Sequence, residues 1–150
     1  MKDKVLLAKE HEAGFTPAEA AEALARAAVD GGELALKMRR TGVRTWTKHH
    51  DSPVTEADLA VDALLRERLM AAAPSYGWLS EESTAHLGDP AHSRRWVVDP
   101  IDGTRSFIKQ LPDWSISLAL VENGRPLAAV IYAPVTEELF VAIAGAGAKR

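Results

Sequence analysis

The sequence predicts an α+β domain in which two long helices pack on one face of an antiparallel sheet. Three observations carry this. Apolar residues recur at helical spacing in the first half, at Leu24, Ala28, Gly31, Ala35 and Met38, then at Val61, Leu64, Leu65 and Leu69. From about residue 77 the pattern changes to short strand-like runs. An Asn123-Gly124 pair separates two of these runs, the strongest short hairpin signal. Helices first and a meander afterwards define α+β rather than an alternating α/β order.

The elements follow in chain order. Residues 1–15, ending in Gly14-Phe15, read as a lead-in segment or a short helix. Thr16-Pro17-Ala18-Glu19 opens the first long helix: threonine caps, proline suits the first turn and glutamate completes a capping box. Gly31-Gly32 weakens this helix but permits close packing, and Gly42 is its stop. Residues 43–54 read as a polar loop with His49-His50-Asp51-Ser52-Pro53. Thr55 starts a second helix with Asp58 as its acidic partner, and Pro74 ends it. A short strand at 77–79 leads into Ser80-Glu81-Glu82-Ser83. Residues 84–94 read as loop, with His86, His92, Arg94 and Arg95 in a mobile polar segment. Strands follow at 95–98, 115–121, 126–132 and 138–143, with a short helix at 103–109. The small, flexible residues 145–150 read as a connector.

Composition narrows the function. The 150 residues are 47% hydrophobic and 26% charged, enough for one domain with a real core. A net charge of −3 argues against a protein that coats a nucleic-acid polymer. The absence of cysteine excludes disulfides, thiolate catalysis and Cys-ligated zinc, and leaves oxygen-ligated hard cations open. No apolar stretch is long enough to span a bilayer, and the N-terminus lacks a signal-peptide core. A cytoplasmic location follows by default.

The chemistry concentrates in Trp96-Val97-Val98-Asp99-Pro100-Ile101-Asp102-Gly103-Thr104. An apolar strand delivers two carboxylates to a proline-stiffened turn, which aims both at one point with the Ile101 carbonyl as a third oxygen. Hard cations such as Mg²⁺ bind such oxygens. Gly103 lets backbone approach an anion closely, and a helix beginning there presents N–H groups to a phosphate. Thr104 adds a hydroxyl that orients a water. Glu81 also follows a strand, so two neighbouring strand ends bring it beside Asp99 and Asp102, as a two-metal site requires. Asp58 occupies a helix first turn, where the dipole favours a carboxylate.

Together these strings resemble the inositol monophosphatase superfamily of Mg²⁺-dependent, lithium-sensitive phosphatases. The resemblance runs from about Thr16 onward, through Val54–Asp58, Glu81–Ser83, and Trp96–Thr104 followed by Phe107. It implies a layered αβαβα fold of which this chain, over 16–150, carries the N-terminal α+β half. It implies that Glu81, Asp99, Asp102 and the Ile101 carbonyl ligate two or more Mg²⁺ ions. By the same resemblance Gly103 and Thr104 contact phosphate, Thr104 and Asp58 activate the attacking water with Glu81 in the catalytic set, and Lys48 lies near the active site. Ser52-Pro53-Val54-Thr55, Arg105, Phe107-Ile108-Lys109 and Tyr132-Ala133-Pro134-Val135 resemble the 3'(2'),5'-bisphosphate nucleotidase branch. The implied reaction converts adenosine 3',5'-bisphosphate to AMP; inositol monophosphatase and histidinol-phosphate phosphatase are the alternatives. The family's second half, with a further metal-ligating aspartate, has no counterpart in these residues. The expectation is a phosphatase acting on a small phosphorylated substrate, incomplete on its own. The alternative of another class is a non-catalytic module whose uncovered surfaces favour homo-oligomers.

Overall fold

A computed structural model describes residues 14–150, so residues 1–13 of the expected lead-in lie outside the described residues. Helix α1, Pro17–Thr41, keeps half of the expected capping box: Thr16 Oγ1 accepts the Glu19 N–H at 3.2 Å, the return bond from the Thr16 N–H to the Glu19 carboxylate is not made among the described residues, and Gly42 caps the far end at φ +83. Its buried stripe of Ala20, Leu24, Ala28, Gly31 and Ala35 faces the sheet and the second helix. Strands β1, Thr45–Lys48, and β2, Ser52–Thr55, form a separate antiparallel hairpin, with a tight helical turn at His49–Asp51 as its tip. This corrects the expectation of a polar loop: the strands are four residues each, too short and polar to announce themselves.

Helix α2, Glu56–Ala72, begins with the reciprocal Thr55–Asp58 capping box. Strands β3 (Gly77–Ser80), β4 (Arg94–Asp102), β5 (Ser115–Glu122), β6 (Arg125–Ala133), β7 (Glu138–Ile143) and β8 (Gly147–Lys149) form one six-stranded sheet in sequence order. The helix α3, Thr104–Ile108, follows β4 directly. Fold class is therefore α+β, but the sheet is mixed: β3 runs parallel to β4, with Trp78 opposite Trp96 and Ser80 opposite Val98. The intervening segment carries the chain back to the starting end, so both strands finish at the same edge.

That segment is also better held than a mobile loop. His86 exchanges two backbone hydrogen bonds with Trp78 at 2.7 and 2.8 Å. Arg94 belongs to β4 and donates to Glu122 at 2.8 Å, to the Phe15 carbonyl at 2.6 Å and to the Tyr76 hydroxyl at 3.0 Å. The 145–150 stretch, expected as a connector, contains β8, which pairs Ala148 with Ala142.

The core lies between the helices and one sheet face. Trp78, Trp96, Tyr76, Phe107, Leu24, Leu65 and Leu69 are its largest fully buried side chains among the described residues. Among the described residues no helix is long and apolar enough to cross a membrane.

Candidate metal and phosphate site

Strand β4 does not end in a turn at Asp99, as the sequence reading expects; it continues through Asp102. In a regular strand, residues three apart face opposite sides. Here Asp99 lies opposite Ser117 and Asp102 opposite Ser115, so β4 carries one extra residue between them. That bulge reorients the strand, and Asp99, Ile101 and Asp102 all line one pocket of about 240 Å³. Pro100, which lacks an N–H, is tolerated at such an irregularity. The pocket is completed by Glu81 and Glu82 beyond the end of β3, Lys48 from the hairpin, and Gly103, Thr104 and Arg105.

Asp58 is fully buried in the first turn of α2. Its Oδ2 accepts the Thr55 N–H at 2.9 Å and the Thr55 hydroxyl at 2.7 Å, and its Oδ1 accepts the Thr104 hydroxyl at 2.9 Å. The cap that starts the helix thus holds the carboxylate that orients Thr104. The Ile101 carbonyl is a second acceptor for Thr104, at 3.1 Å.

Electrostatic stress centres on Asp99. Burial, then the negative charges of Glu81 and Asp102, pushes its carboxyl up to about 7, and its buried Oδ1 has no hydrogen-bond partner among the described residues. Among the described residues no three carboxylate or imidazole groups are gathered tightly enough to form a ready-made cage. Lys48 draws Glu82 to 2.8 Å and Glu81 to 3.7 Å. Although partial burial opposes it, contact with Glu82 and the nearby Glu81 and Asp58 charges hold the Lys48 ammonium above its ordinary value. Burial raises the Glu82 carboxyl against the opposing pull of Lys48.

This donor set fits a hard divalent cation. It offers several carboxylate oxygens and a carbonyl in one pocket, one buried oxygen unpartnered, and a surplus of negative charge that a cation relieves.

The surrounding shell supports the site from below. At Gly103 φ is +91, and an added Cβ would come within 2.7 Å of the Asp113 carbonyl oxygen, so only glycine fits. Helix α3 spans only five residues, so its dipole contributes less than the sequence reading supposes. It is fixed instead by packing: the Arg39 guanidinium lies 5.6 Å from the Phe107 ring centre and 5.3 Å from that of Trp114, and donates to the Leu111 carbonyl at 3.0 Å.

All the candidate residues read from sequence thus meet around one site, with Asp58 behind Thr104. Sequence reasoning missed its supports. Asp62 is buried and accepts a hydrogen bond from Ser80, whose hydroxyl also accepts the Glu82 N–H at 3.2 Å. A carboxylate one turn beyond Asp58, beside Val61 in an apolar stripe, is the signal that was present. Arg105 reaches the hairpin tip, donating to the Asp51 carbonyl at 3.2 Å.

The family model for the inositol monophosphatase family matches residues 16–150. The chain is 45% identical over 96 residues to the inositol-1-monophosphatase of Rhizobium meliloti, covering 63% of this chain and 35% of that protein. It is 40% identical over 99 residues to the 3'(2'),5'-bisphosphate nucleotidase CysQ of Salmonella typhimurium, covering 65% and 40%. The crystal structure of the extragenic suppressor protein suhB from Bartonella henselae superposes with a TM-score of 0.81 at 32% identity, covering 85% of this chain and 50% of that one. The chain belongs to the inositol monophosphatase family. It spans half or less of the length of these relatives.

Proposed function

We propose that this chain, over residues 16–150, forms the metal- and phosphate-binding portion of a Mg²⁺-dependent phosphomonoesterase whose substrate is adenosine 3',5'-bisphosphate and whose product is AMP. The observation that carries the reading is the Thr104–Asp58 hydrogen bond at 2.9 Å, set beside a pocket lined by Glu81, Asp99 and Asp102.

Thr104 has a single hydroxyl proton, and both of its recorded acceptors, Asp58 Oδ1 and the Ile101 carbonyl, are protein groups. Toward the pocket its oxygen is therefore an acceptor. It takes a hydrogen bond from a water and aims that water's lone pair at phosphorus. Asp58 keeps the hydroxyl in this sense, because Thr55 fixes its other oxygen. Glu81, Asp99, Asp102 and the Ile101 carbonyl are the groups that hold the cations. Mg²⁺, when bound, supplies positive charge that offsets the charge of a transferring phosphoryl group. Backbone at Gly103 and Thr104, both of which line the pocket, seats the phosphate. In-line attack of water needs positioning and charge neutralisation, not a covalent enzyme intermediate.

Family membership supports phosphomonoester hydrolysis as the reaction class, and the relatives' differing names leave the substrate to be tested. Purified chain with Mg²⁺ is to be offered adenosine 3',5'-bisphosphate, inositol 1-phosphate and histidinol phosphate, with phosphate release as the readout. Preference for the bisphosphate supports the proposal. Preference for either alternative reassigns the substrate, and metal-independent release removes the mechanism.

A further inference from the structure

Two cationic side chains line the pocket, and they are in different circumstances. Lys48 is half-buried and committed to Glu82 and Glu81. Arg105 is exposed and makes no ion pair among the described residues, although four carboxylates, Glu81, Glu82, Asp99 and Asp102, line the same pocket. Its guanidinium turns away from them to the hairpin tip, where one N–H reaches the Asp51 carbonyl. At that tip His50 and Asp51 sit at φ +60 and +58, consecutive non-glycine residues in the left-handed region. Such conformations persist where the surroundings hold them, and they concentrate at functional sites. Arg105 is thereby anchored rather than free. A guanidinium has five N–H donors, so one carbonyl leaves most of the fork open at the pocket mouth. A planar fork with uncompensated charge suits a phosphate dianion.

From this geometry we propose that Arg105 is a specificity-determining residue that binds a second phosphate of the substrate, outside the group hydrolysed at Gly103 and Thr104. The inference rests on the phosphatase reading above and deepens it: the substrate is bisphosphorylated, with its second phosphate on the side of the β1–β2 hairpin tip. A monophosphate fills only the inner part of the site.

The test compares binding of adenosine 3',5'-bisphosphate with that of adenosine 3'-monophosphate, which has the inner phosphate and lacks the other. Titration calorimetry in Ca²⁺ at constant ionic strength gives both affinities without requiring turnover. The native chain is expected to prefer the bisphosphate about tenfold, the scale of one charge-assisted contact. In Arg105→Gln the preference falls to near unity, and Arg105→Lys, which keeps charge but not the fork, retains part of it. Because Arg105 is exposed, the substitution leaves the core untouched, which a superimposable urea unfolding curve verifies. An equal loss for both ligands in Arg105→Gln overturns the proposal, since Arg105 then serves the inner phosphate or only ties the hairpin. A preference unchanged in Arg105→Gln, or absent in the native chain, also overturns it while leaving the phosphatase reading standing. If neither ligand binds in a metal-dependent way, the phosphatase reading falls and this inference with it.

Discussion

Thr104 has one proton and two oxygen acceptors, so the catalytic use proposed for it depends on what Asp58 is. Replacing Asp58 with Asn keeps an oxygen for the Thr55 donors and turns an NH₂ toward Thr104, reversing the direction of that hydrogen bond. All polar groups remain satisfied, so we expect Asp58→Asn to cost only about 1 kcal/mol in urea denaturation. Phosphate release is expected to drop at least about 100-fold, because the amide N–H takes one of the hydroxyl's two lone pairs and no acceptor at residue 58 holds its proton away from the attacking water. Asp58→Ala removes the capping box as well and should cost about 2–3 kcal/mol. An Asn variant with native turnover would show that Asp58 is only a helix cap. Asp99 offers the complementary case. Its buried carboxyl sits among the Glu81, Asp102 and Glu82 charges, an arrangement that suits a cation and strains the chain alone. Asp99→Asn is expected to raise the melting temperature in EDTA by about 3 °C, from about 1 kcal/mol. It should also abolish the stabilisation that Mg²⁺ confers on the native chain. A native-like Mg²⁺ response in the variant would remove Asp99 from the metal set.

At the scale of elements, the site depends on how closely α1 lies against the sheet and α2. An added Cβ at Gly32 would stand 2.6 Å from the Tyr132 ring and 2.8 Å from Pro134, whereas at Gly31 the nearest atoms, on Val61 and Leu65, are 3.2 and 3.3 Å away. Gly→Ala in a helix interior normally gains about 1 kcal/mol. At Gly32 that gain is outweighed by displacing a ring and a proline, so Gly32→Ala is expected to lose about 1–2 kcal/mol in chemical denaturation. Gly31→Ala should fall closer to neutral. A stabilised Gly32 variant would mean that the helix backs away from the sheet at no cost. The Gly-Gly pair was readable as a close-packing signal, as were both caps and the Asn123-Gly124 hairpin, because each rests on a short-range conformational rule. The β1–β2 hairpin and β8 were not readable. Their four- and three-residue strands carry too little periodicity, and tertiary pairing alone stabilises them.

For the whole molecule, the matched relatives and this chain differ in length, the chain covering 35% of one curated relative and 50% of the superposed crystal structure. The proposed site opens at the sheet edge, with the Glu81 side chain 54% exposed. A site this open holds cations weakly and admits bulk water, which screens the charges that position phosphate. We therefore expect the 150-residue chain to release phosphate slowly with saturating Mg²⁺. The rate should rise when the remaining length of the family fold is supplied as a second polypeptide. Rapid turnover by the chain alone would show that the residues named here suffice.

The sequence by itself determined the fold class, both long helices with their caps, and the residues that meet at the site, because composition, periodicity and short motifs are local properties. The tertiary structure decided how those residues meet. A parallel β3–β4 pair brings Glu81, just past the end of β3, beside the Asp99 stretch of β4, and a one-residue bulge brings Asp102 to the same side as Asp99. Lys48 and Arg105 arrive from separate elements, one paired with Glu82 and the other, among the described residues, in no ion pair. Strand direction, register and charge pairing are relations between distant segments, settled by packing. The aspartate string was visible as a candidate cation-binding motif, while the contact between Asp58 and Thr104, 46 residues apart, came only from the folded chain.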